Sequence, residues 1–235
     1  MEDGYPGDAV DSKQHTRTGP NTDRPESAHA HSINLDHSNR FAIACDLGAD
    51  ELFIYRFDAA NGKLTPNPAQ PFLSAKPGAG PRHFASHPNR RSAFVINELS
   101  STITAFGYDA KRGKLTEIQT IPTLPKDWQG TNTCADVHIS ADGSFVFGSD
   151  RGHDSIVVYR FNPGAGTLEL IGHDPTGGKT PRNFAIYPCG RYLHAANDDS
   201  DSTAKISIDE RSVKLNPIGE PLNVPSLICL KFSAA

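Results

Sequence analysis

Ionisable side chains recur at fixed positions of a repeating pattern in this 235-residue chain. One position follows an aspartate or asparagine that ends an apolar stretch, and it holds Leu47, Glu98, Arg151 and Asp198. A second position opens the preceding stretch, and it holds His31, Arg82, Ala135 and Arg182. The residue after it is Ser32, His83, Asp136 or Asn183. Because positions that serve only packing stay apolar, this ring of ionisable groups predicts a functional site.

The chemistry that these residue types favour is anion binding combined with proton transfer. The arginines of the ring could bind a carboxylate or a phosphate through paired N–H donors. Glu98 could hold or activate a water molecule, and His31 or His29 could shuttle a proton. The alternative interpretation is structural: each arginine pairs with a neighbouring carboxylate, such as Arg82 with Glu98, and ties the repeats together.

The elements that position these residues are four copies of an all-β repeat of about 50 residues. Aligning Asp46 with Asn97, Asp150 and Asn197 brings short apolar stretches and turn clusters into register along each copy. Each copy reads as four strands separated by turns, which is typical of a propeller blade. An all-β sandwich would explain the strands but not the position-by-position identity.

We therefore predict an all-β fold, a β-propeller with four recognisable four-stranded blades. The expected blades are residues 29–78, 79–130, 131–178 and 179–223, and residues 224–232 are expected to be a C-terminal closing strand. Residues 1–28 are expected to be an irregular remnant of a preceding blade. Four blades would make an unusually small ring, so the open blade edges also predict self-association.

Composition narrows the classes of function. The net charge of −4 gives no reason to expect nucleic acid, and no run of 18 apolar residues predicts a membrane span. The N-terminus lacks the apolar region of a secretory signal, and four widely spaced cysteines fit a reducing compartment, so we predict a cytoplasmic location. We predict neither a metal site nor a cofactor, because the four cysteines match no metal-binding spacing and His153 and His173 have no partner at metal-ligand spacing.

Several stretches carry a resemblance to one family: PNTDRPESAHAHS, GAGPRHF, VINEL, SDRGHDSIVVY and GGKTPRNFAI. The chain resembles the lactonase family of seven-bladed propellers, which includes 6-phosphogluconolactonases and fungal carboxymuconate cyclases. Members of that family have further blades before the HAHS segment, so the resemblance implies an N-terminally truncated ring. The chain departs from the family pattern at Asn183, where histidine is usual, and at Asp136, where glutamate is usual.

The resemblance implies a set of site residues that overlaps the ring identified from the repeats. The catalytic residues it implies are His31, Arg82, Glu98 and Arg151. The neighbouring residues expected to bind substrate are His29, His83, Asp136 and Arg182. His29 is an alternative to His31, and Arg182 is an alternative to Arg151.

The expected activity is hydrolysis of a sugar lactone, with arginines clamping a small anionic lactone or carboxylate and Glu98 or His31 as acid and base. Two alternatives stay open. The same residues could run a carboxymuconate-type lactonising cyclisation, which also needs an anion clamp and a proton carrier. The chain could instead be a non-catalytic binding module, because an open half-ring could fail to hold the site together.

Overall fold

The computed structural model describes residues 7–17, 19 and 28–232, and this part of the chain contains strands and one short 3-10 turn but no α-helix. The strands form four antiparallel sheets in chain order. The first four strands of every sheet form a meander in which consecutive strands pair, as the repeat pattern predicts, and a short fifth strand pairs beside the fourth on the third strand in the first and last sheets. The all-β prediction is confirmed.

The strand bounds are as follows. The first sheet contains β1 (Ala30–Leu35), β2 (Phe41–Asp46), β3 (Glu51–Asp58), β4 (Lys63–Pro66) and β5 (Phe72–Ser74). The second contains β6 (Pro81–Ser86), β7 (Ser92–Asn97), β8 (Thr102–Asp109) and β9 (Lys114–Pro122). The third contains β10 (Thr133–Ile139), β11 (Phe145–Arg151), β12 (Ser155–Asn162) and β13 (Thr167–Pro175). The fourth contains β14 (Pro181–Ile186), β15 (Tyr192–Asn197), β16 (Ser202–Ile208), β17 (Leu215–Pro217) and β18 (Leu222–Asn223).

The sheets pack face to face as consecutive blades, with β1, β6, β10 and β14 side by side as the innermost strands. The second strands of the first two sheets, β2 and β7, are buried at every residue, because each is paired on both sides within its sheet and packs against the innermost strand of the next blade. One apolar cluster joins each pair of adjacent blades. In the cluster between the second and third blades, Phe94 and Phe161 meet edge to face with ring centroids 5.2 Å apart.

The turn after each innermost strand repeats one backbone conformation. Its last residue has a positive φ in all four blades, at Asn39, Arg90, Gly143 and Gly190. Gly143 is required there, because a Cβ atom would lie 2.6 Å from the ring of His87 in the preceding blade. These turns therefore join neighbouring blades at the far ends of the innermost strands. The predicted ring of ionisable residues lies at the opposite ends, where these strands begin.

The C-terminal tail, residues 224–232, pairs in a ladder with no strand of the part of the chain that the structure describes, and its role as a closing strand stays a prediction. The tail nevertheless follows the path of an innermost strand. Ser226 has a φ of 52° and donates its N–H to Asp201 Oδ1, as Thr180, with a φ of 59°, donates to Asp154 Oδ1. A strand needs a partner to form a ladder, and no described strand runs beside this segment.

The described part of the N-terminal segment lies on the outer face of the first blade. Leu64 donates its backbone N–H to Asp11, and the ring of His15 stacks on Phe53 with centroids 3.8 Å apart. No regular strand forms in residues 7–17. The PNTDRPES stretch, residues 20–27, lies wholly outside the described residues, as do residues 1–6 and 18 of the predicted remnant. No helix in the described part of the chain is long and apolar enough to cross a membrane.

Candidate active site

A β-bulge interrupts the start of every innermost strand. The single extra residue is His31 in β1, Arg82 in β6 and Arg182 in β14, while the irregularity in β10 spans Ala135 and Asp136. A bulge leaves its extra residue outside the ladder and re-aims the side chain. Each blade therefore presents the predicted ring residue at the same place, at the start of its innermost strand.

Arg82, Glu98 and Arg151 form one buried ionic cluster. Arg82 Nε lies 2.8 Å and Arg151 Nη2 lies 3.0 Å from the same oxygen, Glu98 Oε2. Arg82 and Glu98 are only 2% and 3% exposed. The structure thus contains the Arg82–Glu98 pair of the structural interpretation, and it adds a second arginine from the next blade.

Backbone carbonyls at the start of β10 fix both guanidinium groups. Arg82 Nη1 donates to Ala135 O over 2.6 Å, and Arg151 Nη2 donates to Cys134 O over 2.8 Å. The third blade therefore holds the arginine of the second blade as well as its own. The buried Arg151 Nε has no hydrogen-bond partner among the described residues.

The site is electropositive, and its bases show this. Burial, followed by repulsion from Arg82 and His83, lowers the pKa of His31 to about 4. Burial, followed by repulsion from Arg151, lowers the pKa of Arg82 to about 10 even though Glu98 acts in the opposite direction. Burial contributes most to both shifts and carries no preference for an anion, whereas the smaller repulsion between the arginines and histidines would be relieved by a bound anion.

Three histidines line one side of this cluster. The ring centroids of His31 and His83 are 5.2 Å apart, and those of His29 and His31 are 6.1 Å apart. His31 Nδ1 is buried without a hydrogen-bond partner among the described residues. His29 is exposed, and its backbone N–H, rather than its ring, anchors it to Asp46. Of the two alternatives for a proton carrier, His31 therefore lies beside the arginines and His29 lies further out.

Arg182 is half-buried and makes no ion pair with Asp198, the partner that the structural interpretation offered, in the described part of the chain. Its charge is close enough to Arg82 to lower the pKa of that guanidinium. Arg182 therefore lies near the cluster without belonging to its hydrogen-bond network.

Asp136 lies deeper, at 4% exposure, and contacts His83 Nδ1 over 2.6 Å. His138, which the sequence did not single out, approaches the other carboxylate oxygen of Asp136 over 3.1 Å. The available signal was spacing, since residues two apart on a strand share a face. Asn183 also donates to Asp136. Within the described residues, no group of three or more metal-ligating side chains could hold a metal ion.

Comparison with known proteins gives the family. The family described as Lactonase, 7-bladed beta-propeller, matches residues 1–232. The chain belongs to this lactonase family. The 6-phosphogluconolactonase of Bacillus subtilis (strain 168) is 33% identical over 232 residues, which are 99% of this chain and 65% of that protein. The 6-phosphogluconolactonase of Formosa agariphila is 38% identical over 202 residues, 85% of this chain and 56% of that protein.

A solved structure of the lactonase type shares the fold. The periplasmic gluconolactonase PpgL of Pseudomonas aeruginosa superposes with a TM-score of 0.87 at 31% identity, covering 96% of this chain and 62% of that one. The β-propeller prediction and the family resemblance are therefore confirmed. The chain spans less than two thirds of the length of these relatives.

Proposed function

We propose that this site hydrolyses a sugar lactone, of the kind that 6-phosphogluconolactonases act on. The observation that carries the proposal is the buried Arg82–Glu98–Arg151 cluster next to the unpartnered Nδ1 atom of His31, with the Arg151 Nε donor also unpartnered among the described residues. Relatives named 6-phosphogluconolactonase support the reaction class. A phosphate or carboxylate on the substrate would match the positive potential of the site.

The reaction needs a nucleophilic water, an oxyanion stabiliser and a proton carrier. Water attacks the lactone carbonyl, its oxygen bonds to that carbon, and the carbonyl oxygen takes negative charge. Arg82 and Arg151 would stabilise this oxyanion from positions fixed by Glu98 and by the carbonyls of β10. The ring C–O bond then breaks, and the proton lost by the water passes to the leaving ring oxygen.

His31 and Glu98 are the two candidates for the base. His31 is neutral at neutral pH because its pKa is lowered to about 4, so it can accept a proton. An anionic substrate would offset the nearby arginine charges and raise the pKa of His31, which would make it a stronger base once the substrate is bound. We therefore assign the proton transfer to His31 and assign to Glu98 the alignment of both arginines.

The test is a lactone hydrolysis assay on the full chain with glucono-δ-lactone and its 6-phospho form. Arg82→Ala is expected to lower kcat/KM by about 100-fold or more, the usual cost of a lost oxyanion donor. Arg82→Lys keeps the charge but loses the forked donor, so its kcat/KM is expected to lie between those of the wild type and Arg82→Ala. Asn34→Ala, on the same innermost strand as His31 but outside the cluster, is the control. Wild-type hydrolysis at the uncatalysed background would overturn the proposal for this chain and favour a binding module.

Two further expectations stay predictions. The cytoplasmic location stays one because one structural neighbour is described as periplasmic. Self-association through open blade edges stays one as well, and a sedimentation measurement of the molecular mass over a range of concentrations would test it.

A further inference from the structure

Asp136 is densely hydrogen-bonded beside the site. Its carboxylate accepts from five donors, which are His83 Nδ1, Val137 N, His138 Nε2, Asn183 Nδ2 and Phe184 N. Burial would raise the pKa of this carboxyl, but hydrogen bonds from His138 and His83 outweigh burial and hold the pKa below its usual value. A group so occupied has no lone pair to offer a substrate.

The orientation of the Asn183 amide, which donates to Asp136, is fixed by a third residue. The backbone N–H of Leu230 donates to Asn183 Oδ1 over 2.6 Å. That contact fixes which end of the amide is the acceptor, so the Nδ2 end faces Asp136 as a donor. The C-terminal tail therefore helps to define Asp136 as an acceptor.

His83 connects Asp136 to the cluster. Its Nε2 atom lies 3.2 Å from Arg82 Nη1, and a guanidinium can only donate. His83 Nε2 must then be the acceptor, and the proton must sit on Nδ1, which is the atom that faces Asp136. The Nε2–H tautomer would place an N–H group against an N–H group.

We infer that Asp136 is a positioning residue of the active site: it holds His83 in the Nδ1–H tautomer, so that His83 Nε2 orients the guanidinium of Arg82. This differs from the expectation that Asp136 binds substrate directly. Its effect on catalysis rests on the proposed function, whereas its effect on His83 does not. Replacement by asparagine keeps the size of the side chain but turns one of the two oxygens into an N–H₂ group. That group would face a donor, either from His83 or from His138 and Asn183, instead of accepting from it.

Nitrogen NMR of the full chain tests the tautomer without any substrate. A long-range ¹H–¹⁵N correlation spectrum of uniformly ¹⁵N-labelled protein distinguishes the two neutral tautomers, and His83→Asn identifies the His83 signals among the ten histidines by their loss. We expect His83 to be the Nδ1–H tautomer in the wild type. Asp136→Asn weakens the acceptor at Nδ1 and leaves only Arg82 to oppose the Nε2–H form, so we expect a mixture of both tautomers in that variant. An Nε2–H signal in the wild type, or an unchanged tautomer in the variant, would overturn the inference.

A double-mutant cycle on lactone hydrolysis tests the catalytic consequence. Asp136→Asn and His83→Asn are each expected to lower kcat/KM by about tenfold, mainly through kcat, the low end of what an outer-shell partner costs. The double variant should lose no more than about tenfold, because both changes cut the same connection. Additive losses of about a hundredfold would contradict action through His83. Wild type without activity but with the expected tautomer would instead refute the proposed function for this chain and leave the positioning of His83 standing.

Discussion

Two buried aspartates in the third blade have pKa values shifted in opposite directions. Asp136 lies on the innermost strand β10, and Asp150 lies on the adjacent strand β11; they are 4% and 0% exposed. The pKa of Asp136 is lowered, whereas burial raises the pKa of Asp150 to about 6. Because both are similarly buried, the difference comes from their partners.

The partners of Asp150 are all neutral. Its Oδ1 atom accepts from Thr123, Asn132 and Cys134, and its buried Oδ2 atom has no partner among the described residues. Asp136 instead accepts five hydrogen bonds spread over both oxygens, from two imidazoles, one amide and two backbone N–H groups. The innermost strands therefore surround a buried carboxylate with hydrogen-bond donors, whereas the adjacent strand leaves one oxygen of its buried carboxylate without a partner.

The repeat supports the same distinction. The position of Asp150 is an aspartate, Asp46, in the first blade and an asparagine in the second and fourth, Asn97 and Asn197. Asn97 donates to the hydroxyls of Thr102 and Thr104, so a neutral amide ties this part of the blade together as well. Asp46 contacts the ring of His15, whereas Asp150 has neutral partners only, so we expect an amide to replace the charge at position 150 without loss of the fold.

The largest effect that would sharpen this comparison is expected from Asp136→Ala. The change leaves the buried donor of Asn183 and the partly exposed donors of His83 and His138 without an acceptor. An unsatisfied buried donor costs about 1–3 kcal/mol, so we expect a total loss of about 2–4 kcal/mol. Urea unfolding at pH 7 would measure the loss. Ser86→Ala, on the neighbouring innermost strand, is the matched control and should stay within about 0.5 kcal/mol of the wild type. If Asp136→Ala also lost no more than about 0.5 kcal/mol, the hydrogen bonds to Asp136 would not contribute to stability as one network.

A smaller change of opposite sign is expected from Asp150→Asn. The folded-state pKa is raised from 3.8 to about 6, so the ionised carboxyl costs about 3 kcal/mol at pH 7. The new amide N–H₂ group lacks an acceptor at the Oδ2 position, which takes back about 1–2 kcal/mol. We expect a net stabilisation of about 1–2 kcal/mol at pH 7.

The pH dependence of this gain gives its control. Between pH 3.8 and 6 the folded state binds more protons at Asp150 than the unfolded state does, so the penalty grows as the pH rises through this window and vanishes below it. Unfolding curves at pH 4 and pH 7 should therefore differ in the sign of the Asp150→Asn effect. Asn97→Asp, the reverse change in the second blade, should destabilise at pH 7. A destabilised Asp150→Asn variant at both pH values would mean that the charge at position 150 is needed after all.

The repeat register explains how much of the site could be read from the sequence. Equivalent positions in consecutive blades lie side by side, so aligning Asn97 with Asp150 predicted that Glu98 and Arg151 belong to one ring, whereas their direct ion pair was found only in the structure. The blades themselves followed from the same alignment. The direction in which the arginines bind Glu98, through one shared oxygen, depends on carbonyl positions that spacing does not encode.

Two features could not be predicted. The bulges depend on the pairing of backbone atoms across a ladder, and the residues at the bulge in β1 and β6 are as different as His31 and Arg82. The role of Asp136 depends on donors from three blades and on the tail, which are about 50 residues apart in sequence and have no common motif. The tail also lacked a ladder for the same kind of reason, since a strand exists only with its partner.

The smallest of these effects is expected at His31, a base whose pKa is lowered by burial and by the positive charge of Arg82. Its folded-state pKa is lowered to about 4 from 6.5, so between these values the unfolded state binds more protons, and stability should rise with pH across the window. His31→Gln should flatten that rise in urea midpoints measured from pH 4 to pH 7. Asn34→Ala, which removes no titratable group from the same strand, should leave the slope unchanged. Half-exposed groups are partly screened by water, so the slope should change less than either aspartate variant changes the stability. A slope that is equal in wild type and His31→Gln would mean that neither burial nor Arg82 lowers the pKa of this ring.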